Sequence, residues 1–168
     1  MAAAADNRSY QTEELVNFYS THRRGWAGLY PSEQHVLEKM GLSSSSAVLD
    51  MGCACGGLGE ALEERIGITH YTGVEISNLC VAAARRFYPR FQFIAGDFLR
   101  VQDQLSPKGY DFAFSLSCAD WNERTADLLK AVFSHVKPGG QLVFTCRLTN
   151  VAALPPVFQT EQNIAFTA

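Results

Sequence analysis

Three carboxylates and one glycine-dense turn are the residues of this chain best placed to do chemistry. Asp50 ends the apolar run Ala47-Val48-Leu49 and stands directly before the loop Met51-Gly52-Cys53-Ala54-Cys55-Gly56-Gly57. Glu75 lies near the end of a second apolar run, HYTGVEI, and Asp97 follows a third, FQFIA, after Gly96. An acid after a strand is often only a helix cap. Three at successive strand ends, beside a turn that lets backbone approach a ligand closely, make a pocket for a nucleotide or nucleoside.

The spacing says which nucleoside. Glu75 comes 25 residues after Asp50, the separation at which an acid meets the two hydroxyls of a ribose. A carboxylate accepting those hydroxyl protons makes charge-assisted bonds of roughly 1.5–3 kcal/mol each. Asp97 is then placed to accept from the exocyclic amine of an adenine. The loop nearly fits the GxGxxG of a dinucleotide site, but Asp50, two residues before Gly52, would set negative charge beside a pyrophosphate. A ligand with a cation at that end suits the same carboxylate. S-adenosylmethionine has adenosine, no phosphate, an ammonium and a sulfonium. An NAD- or FAD-dependent oxidoreductase is the alternative, and a non-catalytic S-adenosylmethionine-binding module is a third reading.

The elements that must position these groups alternate between strand and helix. Apolar spacing at Leu58, Ala61, Leu62 and Ile66 predicts a helix after the loop, stopped by Gly67. Ser77 caps a helix that Pro89 ends. A helical turn over Phe98–Leu105 leads to a fourth strand, Tyr110–Leu116. Asp120 and Glu123 have the form of a capping box for a helix with Ala126, Leu129, Val132, Phe133 and Val136 on its inner face. Pro138-Gly139-Gly140 ends that helix, and Gln141–Leu148 is the fifth strand. Such alternation implies βαβ units, hence a doubly wound α/β fold with a mostly parallel sheet. Before it, residues 1–45 form a helical cap, with helices over Tyr10–His22 and from Pro31 to Met40; residues 46–168 form the core.

Composition bounds the partners. The chain of 168 residues is long enough for one domain with its own core. A net charge of −3 offers no electrostatic footprint for nucleic acid. No apolar run approaches the ~18 residues of a membrane span, and the Met1–Ala5 start lacks the form of a secretory signal. Five cysteines, an odd number without a CxxC pair, suit reduced thiols and a cytoplasmic protein. Cys53 and Cys55 have no companion ligand pair, so no metal is expected.

VLDMGCACGG, GVEIS, GDF and VKPGGQLVF together resemble the class I S-adenosylmethionine-dependent methyltransferases from Ser46 to about Leu148. The resemblance implies that Asp50 reaches the methionine ammonium and that Gly52, Cys53 and Gly56 form the backbone wall of the pocket. It implies Glu75 on the ribose with Ile76 against the adenine, Asp97 on the adenine amine with Phe98 beside the ring, and Ser115 and Leu116 under the transferring methyl. Two departures stand out. Ala54 replaces the family's most frequent glycine, which alanine tolerates if its φ is negative. After Leu148 only 20 residues remain, broken by Pro155-Pro156. The sheet is therefore expected to fall short of the family's C-terminal strand hairpin. Its Gln141–Leu148 edge is expected to be covered by the Val157–Ala168 tail or by homodimerisation.

The acceptor pocket is expected from the N-terminal helices and the segment after strand four: Tyr19, Trp26, Tyr30, Trp121 and Arg147, with His22 and Asp120 as candidate catalytic groups. His22 could deprotonate a hydroxyl or amine, and the aromatics could flank a sulfonium. Cys118 follows Ser117 rather than the proline of cytosine-C5 methyltransferases, and the segment lacks the Asn/Asp-Pro-Pro-aromatic signature of nucleic-acid amino methylation. With the acidic balance, this favours a small-molecule acceptor of the methyl group, at O, N or C, with S-adenosyl-L-homocysteine as the second product.

Overall fold

A computed structural model describes residues 10–122 and 124–146. Five strands, β1 (Ala47–Met51), β2 (His70–Glu75), β3 (Gln92–Ala95), β4 (Tyr110–Ser115) and β5 (Val136–Phe144), form a parallel sheet in the order β3-β2-β1-β4-β5. Among the described residues six helices accompany them: α1 (Glu13–His22), α2 (Pro31–Lys39), α3 (Gly57–Ile66), α4 (Asn78–Phe87), α5 (Phe98–Val101) and α6 (Thr125–Ser134). The chain steps outward from β1 to β3, then returns to pair β4 with the other side of β1. Strand order thus reverses at β1, the position where such sheets open a crevice beyond their carboxyl ends.

Strand alternation sorts the core into two layers. Val48, Tyr71, Phe93 and Phe114 face one side, where Leu58, Ala61 and Leu62 of α3 and Val81 and Ala84 of α4 cover them. Leu49, Val74, Ile94 and Ala113 face the other, under Phe98 of α5 and Leu128 and Val132 of α6. Each fully buried aliphatic side chain contributes roughly 1.5–3 kcal/mol. Asp50, Tyr71 and Glu75 occupy alternate positions that belong to the α3–α4 side.

The last helix and strand differ from the sequence expectation. Asp120 does not start α6; it sits in a separate 3-10 turn, Ala119–Trp121, and α6 begins at Thr125. The inner face is consequently Leu128 and Val132, while Ala126 is exposed and Phe133 is 56% exposed. Pro138-Gly139-Gly140 does not precede β5 but lies inside it. Tyr110 pairs with Val136 and Phe112 with Gln141, so residues 137–140 bulge out opposite Asp111. Lys137 Nζ reaches both Asp111 oxygens at 2.8 and 2.9 Å, and the Ala47 amide donates to Asp111 Oδ2. A proline is tolerated in a bulge because no ladder hydrogen bond is asked of it. Leu148, the tail and the expected hairpin lie outside the described residues.

The segment ahead of β1 is held together and tied to the α3–α4 layer by specific contacts. Arg23 donates to both oxygens of Glu33, 2.9 and 2.8 Å away, and to the Gly28 carbonyl. The same Glu33 accepts the Tyr30 amide at the head of α2. A Cβ on Gly57 would collide with the Arg23 carbonyl, so this close approach to the start of α3 requires glycine there. Gln11 bridges to the β2–α4 connection, donating to the Ile76 carbonyl and accepting from the Asn78 amide, each at 3.0 Å. α1 packs on α4, and a 3-10 turn at Trp26–Gly28 packs on α3.

Candidate active site

At the carboxyl ends of β1 and β2 two acids lie near enough for the charge of one to act on the other. Asp50 is 4% exposed and accepts from the Tyr71 hydroxyl at 2.5 Å. Burial pushes its carboxyl up to about 7 despite that bond, and the neighbouring Glu75 charge adds to the rise. Glu75 accepts the Ala54 amide on Oε2 at 3.0 Å and the Ser77 amide on Oε1 at 2.8 Å. Burial raises its pKa too, and those amides oppose the rise. Arg23 is the cation that lowers Asp50, and it is engaged by Glu33. The site therefore carries more buried negative charge than its own cations balance, which a positively charged ligand would relieve.

The loop is shaped for close approach. Gly52 has φ +81°, and a Cβ there would strike Cys118 Sγ. The Gly52 and Cys53 amides donate to the Val74 carbonyl, anchoring the loop on β2. Gly56, at φ +84°, accommodates the rings of Tyr88 and Phe93 against its open side. Ala54 has φ +46° rather than the negative value alanine prefers. The condition for an unstrained alanine is therefore not met: a left-handed alanine costs roughly 1–2 kcal/mol, held here by its amide bond to Glu75. Cys53 buries its side chain in the core, so only its backbone is available to a ligand.

The remaining predicted residues divide. Asp97 caps α5 through the Leu99 amide at 3.1 Å, with Arg100 3.7 Å away. Phe98 is buried in the core, edge-on to His135. Ile76 is half-buried and its carbonyl holds Gln11. Ser115 is fully buried with its Oγ lacking any partner, the one such side-chain atom found among the described residues. An unsatisfied hydroxyl at the end of β4, beside the switch-point strand, is a group that a bound ligand would satisfy. Leu116 is half-buried against the α3–α4 layer. Ser117 follows with φ +55°, a strained conformation of the sort that gathers at functional sites.

Tyr19 of α1 packs against Cys55 of the loop and Cys80 of α4, and burial and the Glu75 and Cys118 charges hold its hydroxyl up at about 12. Trp26 does not pack there. Its ring lies under Arg65 and its amide bonds Glu64, because the 3-10 turn carries it along α3 away from the strand ends. Tyr30 stacks on the Arg23 guanidinium at 4.1 Å and is exposed at the head of α2. His22 is exposed at the end of α1, stacked on Phe18, with Nδ1 3.3 Å from the Phe18 carbonyl. Asp120 is half-buried in the turn beyond β4, where its charge acts on Cys118, and Trp121 beside it is 42% exposed. Arg147 lies outside the described residues. For Cys118, burial and the charges of Glu75, Asp50 and Asp120 lift the thiol to about 12, opposite to the need of a nucleophile.

Tyr71, Tyr10 and Gln11 were not foreseen. Tyr71 carried a signal, being a hydroxyl within an apolar strand four residues before Glu75 that must find a buried partner. Tyr10, whose hydroxyl is raised by burial and by Cys118 and Glu75, had only its place in an N-terminal aromatic segment.

Residues 48–140 match the family model described as Methyltransferase domain. The chain belongs to this family. Among curated relatives of the methyltransferase domain, the trans-aconitate 2-methyltransferase of Azoarcus sp. (strain BH72) is 29% identical over 107 residues, 64% of this chain and 41% of that protein. The malonyl-[acyl-carrier protein] O-methyltransferase of Brevibacillus brevis is 27% identical over 116 residues, 67% of this chain and 42% of that protein. The chain spans about two fifths of the length of these relatives. In structure it resembles Haemonchus contortus phosphoethanolamine N-methyltransferase 2 in complex with S-adenosyl-L-methionine, with a TM-score of 0.72 at 20% identity, over 92% of this chain and 37% of that one. At that identity the likeness establishes a shared Rossmann-like fold. No helix among the described residues is long and apolar enough to cross a membrane.

Proposed function

We propose that this methyltransferase domain binds S-adenosyl-L-methionine and directs its methyl group to a small-molecule acceptor. The observation that carries the reading is the pair of carboxylates, buried Asp50 and half-buried Glu75, on either side of the glycine loop with their charge unbalanced. A pyrophosphate would add to that imbalance; an ammonium and a neutral ribose would not. Asp50 would take the methionine ammonium, Glu75 the ribose hydroxyls and Asp97 the adenine amine. Ser115 supplies a hydroxyl in need of a partner. When bound, the cofactor supplies a methyl group on a sulfonium, already activated for displacement.

The protein's share is then positioning and exclusion of water. Residues 1–45 act as a cap in this reading: Gln11 pins the N-terminal segment to the β2–α4 connection, and Tyr10 and Tyr19 lie near enough to Glu75 to feel its charge. The acceptor enters between these tyrosines and the Cys118–Trp121 turn. The matched relative named for trans-aconitate supports a small acceptor, and the one named for malonyl-[acyl-carrier protein] a small acyl group held on a carrier. The test is a labelled-methyl screen with the full chain over pooled small acids, amines and alcohols. Transfer to one pool is expected. Cofactor binding without transfer to any would reduce the reading to that of a binding module.

A further inference from the structure

Tyr71 lies on β2 opposite Val48, two positions before Gly73, which pairs with Asp50. Two residues along a strand span about 6.6 Å, close to the length of a tyrosine side chain, so the hydroxyl arrives at the level of Asp50. The ring is fixed in the core between Phe91, 5.1 Å away, and Phe93, 6.0 Å away. On its other side a Cβ at Gly59 would touch the ring at 3.1 Å, so the first turn of α3 closes the slot. The hydroxyl donates to Asp50 Oδ2 at 2.5 Å, leaving Oδ1 for a ligand.

The charged and titratable groups facing Asp50 come from every neighbouring element. They are Tyr71 and Glu75 of β2, Glu33 of α2, Arg23 after α1, Cys53 of the loop and Cys118 beyond β4. All are acidic or neutral except Arg23, whose guanidinium is held by Glu33. Tyr71 is thus the donor that stabilises negative charge on Asp50. We propose that Tyr71 is a positioning residue of the cofactor site, holding Asp50 as an oriented carboxylate for the ammonium of a bound amino-acid group. The inference rests on the S-adenosylmethionine reading above. Without that bond Asp50 keeps its proton to higher pH, and a protonated carboxyl gives an ammonium no charge to meet.

The experiment compares wild type with Tyr71→Phe by calorimetric titration of S-adenosylhomocysteine, which keeps the ammonium, between pH 6 and 8.5. A hydrogen bond to a charged group is worth tenfold or more, so the variant should bind about tenfold more weakly at pH 7. The ratio should shrink to a few-fold at pH 8.5 as Asp50 ionises in both proteins. In an Asp50→Asn background, Tyr71→Phe should change affinity less than twofold. A loss of equal size at every pH, or an undiminished loss in the Asp50→Asn background, overturns the proposal and leaves Tyr71 a packing residue. A ligand-free readout is the carboxyl carbon resonance of Asp50, identified by its absence in Asp50→Asn. Its titration midpoint should move to higher pH in Tyr71→Phe, and an unmoved midpoint overturns the proposal whatever binds. No binding by wild type at any pH overturns the cofactor reading and the ligand assigned to Tyr71 with it, while the resonance still decides whether Tyr71 governs Asp50.

Discussion

Replacing Asp50 by asparagine should make the protein more stable and less able to bind its cofactor. Folding raises the Asp50 carboxyl from its ordinary 3.8 to about 7, chiefly by burial. Between those values the folded chain holds a proton that the unfolded chain has released, so stability falls as pH rises through the window. Above pH 7 the whole penalty is present. At 1.36 kcal/mol for each tenfold in proton affinity the ceiling is about 4 kcal/mol; relaxation and water entry reduce it to about 1–3 kcal/mol. Asparagine keeps an oxygen for the Tyr71 hydroxyl and carries no charge. For a chain of this size each 1 kcal/mol moves Tm by roughly 2–4 °C, so Asp50→Asn should melt about 3–10 °C higher at pH 8. At pH 5, where Asp50 is itself neutral, the two proteins should differ by less than about 1 kcal/mol. Thermal unfolding of both proteins at the two pH values is the assay. A variant no more stable at pH 8, or a difference of the same size at pH 5, would refute the claim that a buried charge is kept there at the expense of stability.

Glu75→Ala should weaken S-adenosylhomocysteine binding by about 1.5–3 kcal/mol, roughly 10- to 150-fold by calorimetry; an unchanged affinity removes Glu75 from the ribose. Ala54→Gly relieves a left-handed alanine and should raise stability by about 1 kcal/mol, or roughly 2–4 °C in Tm. A lower Tm would show that the loop conformation carries no strain. With its thiol at about 12, Cys118 is about one part in ten thousand thiolate at pH 8. Mass spectrometry of iodoacetamide-treated protein should therefore find the exposed Cys146 modified well before Cys118, and the reverse order would contradict the raised thiol of Cys118.

The parallel sheet and its glycine loop could be read from the sequence because each depends on local signals. Apolar runs of strand length alternate with helical spacing, and Gly67 and Ser77 sit at the helix ends where they were expected. Asp50 and Glu75 come together because the βαβ connection aligns the ends of adjacent strands. The C-terminal third misled where local signals competed. Asp120 followed by an acid imitates a capping box, but a 3-10 turn takes that segment and shifts the phase of α6 by enough to expose Phe133. Pro138-Gly139-Gly140 is a helix stop by composition, yet the Lys137–Asp111 pair folds it into a strand bulge. Trp26 carried no indication of direction, and only the packing of its turn on α3 takes it from the site. Tyr71 escaped notice because its role depends on a partner in another strand, 21 residues away.

Whether the unbalanced Asp50–Glu75 pair makes this a site for a phosphate-free adenosine with an ammonium tail is decided by calorimetric titration of the full chain at pH 8. S-adenosylhomocysteine and NADH are the two ligands to compare. Micromolar affinity for S-adenosylhomocysteine and none for NADH is expected. Binding of NADH with no heat from S-adenosylhomocysteine would contradict it.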